Sequence, residues 1–421
     1  MQNTSPEKTF KKTFSMPYLM GYFLAANAVI DLCAVVDGLY CVMSKAYMLA
    51  NHDLFSTLLS GDGEHRAVCT TFSPHSPHKN PDKRLAAALA GMAGSGRFWA
   101  IAVTGLPFCR LAGMDYQGLA TAVSASVPVA GVPALSMEAD WLDGYDGTLA
   151  ALAGVLPLAG KKSRNKVAVC GYFLDRNEFD HAANLKEMKL LLGLAGLDLV
   201  SVWPSGGDCA GLSRAGEAGL VVSLPYGRKA ARVLARRTGA KLLETGLPMG
   251  LAGTSAWLAA VRKAAGLSGP LPEKVLLEEK AAAAAIYPAL RELAGKNALF
   301  AGDPHLYCAF SSFAAELCVR ISAAFLDCDQ RPLGAPRPSE LLFAPSAAEA
   351  AAALARLPRH ERPHLAVANS FAATEGLCGG APLVELGFPS FGHHCLSDEP
   401  FFFYAGARGL AARLLNRLRG I

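Results

Sequence analysis

A chain of 421 residues is longer than one hydrophobic core organises, and its 52% apolar content, rich in Ala, Leu and Gly, suits helices packed closely on sheets. The net charge of +5 is small and scattered, with no basic–aromatic interleaving, which argues against a nucleic-acid groove. No run of about 18 uncharged apolar residues occurs, which argues against a transmembrane helix. The polar opening MQNTSPEKTFKKTFS lacks the apolar core of a signal peptide, so a cytoplasmic location is expected. In that reducing compartment, eleven cysteines point to thiols or metal ligands rather than a disulfide framework. There is no CxxC pair, so a structural zinc site is not indicated.

In chain order, YLMGYFLAANAVI is a helical pattern, followed by the apolar run Ala34-Val35-Val36, a buried strand, and the turn Asp37-Gly38. A helix follows Cys41, so this thiol is expected at a strand end near a helix N-terminus. The amides and dipole there favour a thiolate or an anionic iron–sulfur cluster. A single cysteine at such a turn is more often a small buried hydrophobe. Residues 65–71 form a short extended stretch with Cys69, then come the Pro/His loop 72–83 and a helix over 84–92. The strand 98–104 (FWAIAVT) runs into Gly105-Leu106-Pro107-Phe108-Cys109-Arg110, a second thiol at a strand end. A helix over 116–124, a strand over 128–132 and a helix after Gly147 close a first unit, 1–160.

Lys161-Lys162-Ser163-Arg164-Asn165-Lys166 is expected to be a solvated linker. The second unit, 161–272, has strands over 166–172 (with Cys170), 197–203, 219–224 and 241–244. Its helices are expected over 184–194, 229–238 and 254–265. Gly206-Gly207, like Gly94-Ser95-Gly96, lacks a dinucleotide-binding context and is expected to form a turn. The third unit, 273–421, opens with an Ala-rich helix over 275–293, then a strand over 297–302 and a helix over 306–317. A strand over 365–368, a loop over 390–400 and a helix over 406–418 complete it. Cys308 and Cys318 are expected in the core, and Phe401-Phe402-Phe403-Tyr404 in a cleft or a dimer surface. Alternation of strand and helix in each unit predicts parallel sheets that bind ligands at their carboxyl ends.

In this order the pieces resemble the nitrogenase component 1 family over roughly residues 15–419. Asp37-Gly38-Leu39-Tyr40-Cys41 resembles the family's His-Gly-Pro-x-Gly-Cys turn, and TGLPFCRLAGMD (104–115) its Thr-Thr-Cys segment. Pro248-Met249-Gly250 with Thr254 resembles a Pro-x-Gly…Thr step. Asn369-Ser370, Gly387-Phe388-Pro389 and Tyr404-Ala405-Gly406 resemble the C-terminal signature. The resemblance implies an α/β fold of three Rossmann-like parallel-sheet domains around a central cleft. It also implies a subunit-interface iron–sulfur cluster, of 4Fe-4S type, held by three cysteines of the first domain. Ser15 falls where the first of these belongs, Cys41 matches the second, and Cys109 lies near the third. Cys69 is the candidate replacement ligand, and Cys33 is expected in the core.

Ser223 falls at the position of the cysteine that holds the nitrogenase cofactor, so dinitrogen reduction is not expected. His394 falls at the position of the cofactor histidine. His394 or His393 then supplies protons or an axial metal ligand, the alternative being a loop histidine bonded to backbone. The implied function is an oxidoreductase component that receives electrons from an ATP-dependent iron–sulfur reductase and reduces a small-molecule substrate. It would pair with a paralogous subunit or with itself. A cofactor-assembly scaffold and a metal-chelate or tetrapyrrole binding protein are the alternatives.

Overall fold

Parallel strands pair only through crossovers, and each crossover helix covers a face of the sheet it serves. The computed structural model, which describes residues 14–71, 81–111, 113–123 and 127–420, contains three such sheets. The first has the order β2-β1-β3-β4, from β1 (Leu32–Asp37), β2 (Ala67–Cys69), β3 (Ala100–Gly105) and β4 (Val129–Gly131). The second has the order β6-β5-β7-β8, from β5 (Ser163–Cys170), β6 (Asp198–Trp203), β7 (Ala218–Ser223) and β8 (Lys241–Glu244). The third has the order β11-β10-β9-β12-β13, from β9 (Asn297–Gly302), β10 (Arg320–Leu326), β11 (Glu340–Phe343), β12 (Leu365–Ala368) and β13 (Leu383–Glu385). In each sheet the first strand is central and the chain builds outward on both sides of it. A crevice therefore opens beside β1, β5 and β9 at their carboxyl ends.

One helix ties the sheets together. Trp141–Val155 is capped by Asp140, whose carboxylate accepts from the amides of Leu142 and Asp143. Its Trp141 Nε1 donates to the carbonyl of Asp327 beyond β10 (3.2 Å), and its Tyr145 hydroxyl donates to the carbonyl of Tyr172 beyond β5 (2.9 Å). Against it lies the helix Tyr18–Asn27, every residue of which is buried. The two backbones approach through glycine: a Cβ on Gly21 would sit 1.8 Å from the carbonyl oxygen of Trp141, and one on Gly144 2.1 Å from that of Tyr18. Tyr22 then reaches the first sheet, its hydroxyl lying at hydrogen-bond distance from the carbonyls of Val35 and Ala102.

Several expectations are corrected. The basic stretch 161–166 is not all linker, because β5 begins at Ser163 and Lys166 pairs with Glu217. The helix expected after Gly147 starts at Trp141, since Gly144 and Gly147 face Tyr18 and do not interrupt it. The helix expected from 184 starts at Phe179. The sequence left β10, β11 and the helix Ala347–Arg356 unassigned. Cys318 is exposed, with φ of 54°, at the end of a helix and is not a core thiol, whereas Cys308 is half-buried and packs against the core. Cys33 is in the core, and Gly96 and Gly206 take turn conformations with positive φ. The N-terminal residues 1–13, most of the Pro/His loop and Ser124 lie outside the described residues. No described helix is long and apolar enough to cross a membrane.

Candidate functional site

Because β1, β2 and β3 are neighbours, whatever follows their carboxyl ends meets at one edge. Asp37 ends β1 fully buried; its carboxylate accepts from Thr70 Oγ1 (2.6 Å) and Tyr116 Oη (3.3 Å), with Arg84 Nη2 at 3.6 Å. Cys69, the last residue of β2, places Sγ 3.7 Å from the carbonyl oxygen of Gly38 and accepts from the amide of Thr71 (3.4 Å). Cys109, in the short helix Pro107–Leu111 after β3, places Sγ 3.5 Å from the carbonyl oxygen of Asp37. Cys41 follows in the same turn and is exposed, with Leu39 and Tyr40 exposed beside it. The thiols of residues 69 and 109 thus flank two successive carbonyls of the turn that carries Cys41. Their environments differ: Cys69 is half-buried, whereas burial and then the charge of Asp37 push the Cys109 thiol up to about 12. Ser15 is exposed, next to Phe14, whose amide donates to the carbonyl of Pro345 in the third unit.

A second concentration of chemistry lies between the second and third units. An enclosed cavity of about 30 Å³ is walled by Arg176 and His181 after β5, Tyr226 after β7, and His393 and Arg413 from the C-terminal segment. Phe173, Phe401 and Phe402 supply its apolar wall. The segment Asp175-Arg176-Asn177-Glu178-Phe179-Asp180-His181 carries most of the charge, and the sequence reading did not single it out. Its buried charges are paired. Arg176 donates to Asp180 (2.6 Å) and to the carbonyl of His393 (2.8 Å), and sits 3.6 Å from Glu178. His181 is fully buried, with Nε2 2.5 Å from Asp175 and Nδ1 2.8 Å from the Tyr172 hydroxyl. Burial opposes charge on this imidazole, but Asp180 and Asp175 outweigh it and hold its pKa above the usual histidine value. The signal available in the sequence was density: five ionisable residues in seven, immediately after an apolar strand.

The loop over 390–400 closes one side. His394 Nδ1 lies 2.7 Å from Glu178, whose other oxygen accepts from the amide of Cys395 (2.8 Å). Of the two candidate histidines, His393 alone lines the cavity; its Nε2 is buried without a hydrogen-bond partner, 3.6 Å from Glu399. Burial, with Arg413, lowers its pKa, so the ring is neutral. His52 stacks on Phe391 at 3.4 Å between ring centroids. Ser223 is fully buried at the end of β7.

A model of the nitrogenase component 1 type oxidoreductase family matches residues 52–419. The chain is 28% identical over 193 residues to the light-independent protochlorophyllide reductase subunit N of Bradyrhizobium sp. (strain ORS 278), covering 46% of this chain and 43% of that protein. It is 25% identical over 221 residues to the subunit N of Prochlorococcus marinus (strain NATL2A), covering 51% and 50%. The chain thus matches half or less of the length of these relatives. Nitrogenase Cp1 at pH 6.5 has the same fold, with a TM-score of 0.80 at 16% identity over 100% of this chain and 95% of that one. Nitrogenase Cp1 at pH 5 gives 0.71 at 13% identity, over 100% and 90%.

Proposed function

Because this chain belongs to the nitrogenase component 1 type oxidoreductase family, we propose that it is the substrate-reducing component of a nitrogenase-like reductase. It receives low-potential electrons from an ATP-dependent iron–sulfur protein. The observation that supports the reading is that the thiols of Cys69 and Cys109 lie against the carbonyls of Gly38 and Asp37, in the turn that leads to the exposed Cys41. Soft sulfur donors from separate segments on a partly exposed edge suit iron–sulfur ligation. Cys41 is exposed and Cys69 half-buried, so both thiols are accessible to a cluster. Cys109, buried against the carbonyl of Asp37, is the weakest of the three, although coordination deprotonates a thiol outright. A cluster held there, of 4Fe-4S type and completed by a second copy or a paralogous subunit, supplies one-electron relay chemistry.

The chain's own residues do the rest. His181, whose hold on a proton is strengthened by Asp180 and Asp175, offers a proton store at the cavity wall. His393 offers a neutral imidazole on the other side. Arg176 and Arg413 favour negative charge developing on a bound group, and the phenylalanines keep water out. The enclosed space admits a water-sized group as it stands. His393, Glu385 and Arg413 also line an outer groove of about 360 Å³, which marks where a larger substrate would approach. His394, paired with Glu178, positions the loop.

The test mixes the anaerobically purified chain with the iron–sulfur reductase ATPase of the same genome, dithionite and MgATP. An electron paramagnetic resonance signal in this chain that grows only when MgATP is hydrolysed is the expected result. No ATP-dependent reduction of a cluster-loaded chain would overturn the reading.

A further inference from the structure

His393 belongs to a donor set whose other two members, Cys395 and Glu399, the redox reading does not use. His393 Nε2, Cys395 Sγ and a carboxylate oxygen of Glu399 lie within 4.8 Å of one another. We infer that these three atoms form a binding site for a borderline-soft divalent cation, zinc foremost, at the rim of the central cavity. One nitrogen, one sulfur and one oxygen are the donors zinc takes, and three protein ligands leave a fourth position open. Zinc bonds of about 2.0–2.3 Å place tetrahedral donors roughly 3.3–3.8 Å apart. The 3.6 Å between His393 Nε2 and Glu399 already meets that spacing, and the sulfur needs only a small closure.

Three further observations support a ligand here. His393 Nε2 is a buried nitrogen without a hydrogen-bond partner, an expensive condition that a metal bond removes. The backbone of Cys395 is clamped on both sides: its amide donates to the buried Glu178 (2.8 Å), and its carbonyl accepts from the amide of Phe179 (3.2 Å). Such anchoring fixes a ligand's direction before the metal arrives. The charges also leave room for a cation. Arg176, 4.0 Å from Cys395 Sγ, and Arg413, with His181 beside them, face five carboxylates, those of Asp175, Glu178, Asp180, Glu385 and Glu399. A divalent ion offsets the excess negative charge. Access is open, because His393 borders the outer groove and Glu399 a second groove of about 310 Å³. The bound ion's free position would take a substrate oxygen or nitrogen as a Lewis acid.

This site stands independently of the thiol edge, and the experiment keeps the two apart. The full-length chain, stripped with a chelator and exchanged into chelator-free buffer, is titrated with zinc and, separately, with cobalt(II). The expected result is one zinc per chain retained through dialysis, and a sulfur-to-cobalt charge-transfer band. That band disappears in Cys395→Ser and persists in Cys41→Ala and Cys69→Ala. Zinc affinity falls at least tenfold in His393→Gln and Glu399→Gln; the second lies at a half-exposed side chain and reports even if Cys395→Ser misfolds. Absence of bound zinc in natively folded wild type, a cobalt band that survives Cys395→Ser, or unchanged affinity in Glu399→Gln would overturn the proposal.

Discussion

Asp303 shows how one buried carboxylate can work against the fold that holds it. It caps the helix Pro304–Glu316, accepting from the amides of His305 and Leu306 (both 2.9 Å) and from the Tyr226 hydroxyl (2.8 Å). Burial nevertheless raises its pKa from 3.8 to about 6. The folded chain therefore holds this proton more tightly than the unfolded chain does. Stability from this group is greatest below the unfolded value and declines as pH rises through about 6, a loss of about 3 kcal/mol by neutral pH. Asp303→Asn keeps an acceptor for all three donors and cannot ionise. Denaturant unfolding of the variant should show stability higher than wild type by up to about 3 kcal/mol at pH 7, with a flatter slope between pH 4 and 6. An unchanged slope would mean that Asp303 titrates as an ordinary carboxylate. The sequence offered no sign of this behaviour, because the Tyr226 partner lies 77 residues away. The same holds for Arg176 and Glu178, whose partners His393 and His394 lie 217 and 216 residues on. A charge run is ordinarily a solvated face, and only tertiary pairing makes it tolerable inside.

At the scale of elements, strand and helix alternation was legible wherever apolar runs were bounded by Gly or Pro, as in β1, β3, β9 and β12. Glycine misled the reading where it served packing. Gly144 and Gly147 lie inside one helix, at the place where the helix Tyr18–Asn27 must come close. Gly21→Ala therefore drives a methyl into the Trp141 carbonyl and should cost about 3 kcal/mol or more in unfolding free energy. Gly154→Ala, in the helix Trp141–Val155 but with open space around it, should be neutral or stabilise by up to about 1 kcal/mol. Equal effects of the two would show that the crossing is not tight. β10 (RISAAFL) escaped the reading because small residues give little strand preference, and pairing between β9 and β11 selects its conformation.

For the whole molecule, two chemistries lie apart, one at the carboxyl edge of the first sheet and one between the second and third units. The thiol edge belongs to the first sheet alone, at the surface, where Cys41 was legible as a strand-end thiol and Cys69 and Cys109 as its companions. The cavity draws on the second and third units, so its residues are scattered through the chain; of its ionisable residues only His393 was singled out, and only through the family resemblance. Most of the fold was legible, then, and about half of the site. The central claim is that thiols at the first sheet's edge hold an iron–sulfur centre. Its most direct test is iron and acid-labile sulfide per chain after anaerobic purification, in wild type, Cys41→Ala and Cys69→Ala. The account predicts iron and sulfide in stoichiometric proportion to wild-type chain, and loss of more than half of both in each folded variant. A natively folded wild type without sulfide, or variants that retain the full complement, would contradict it.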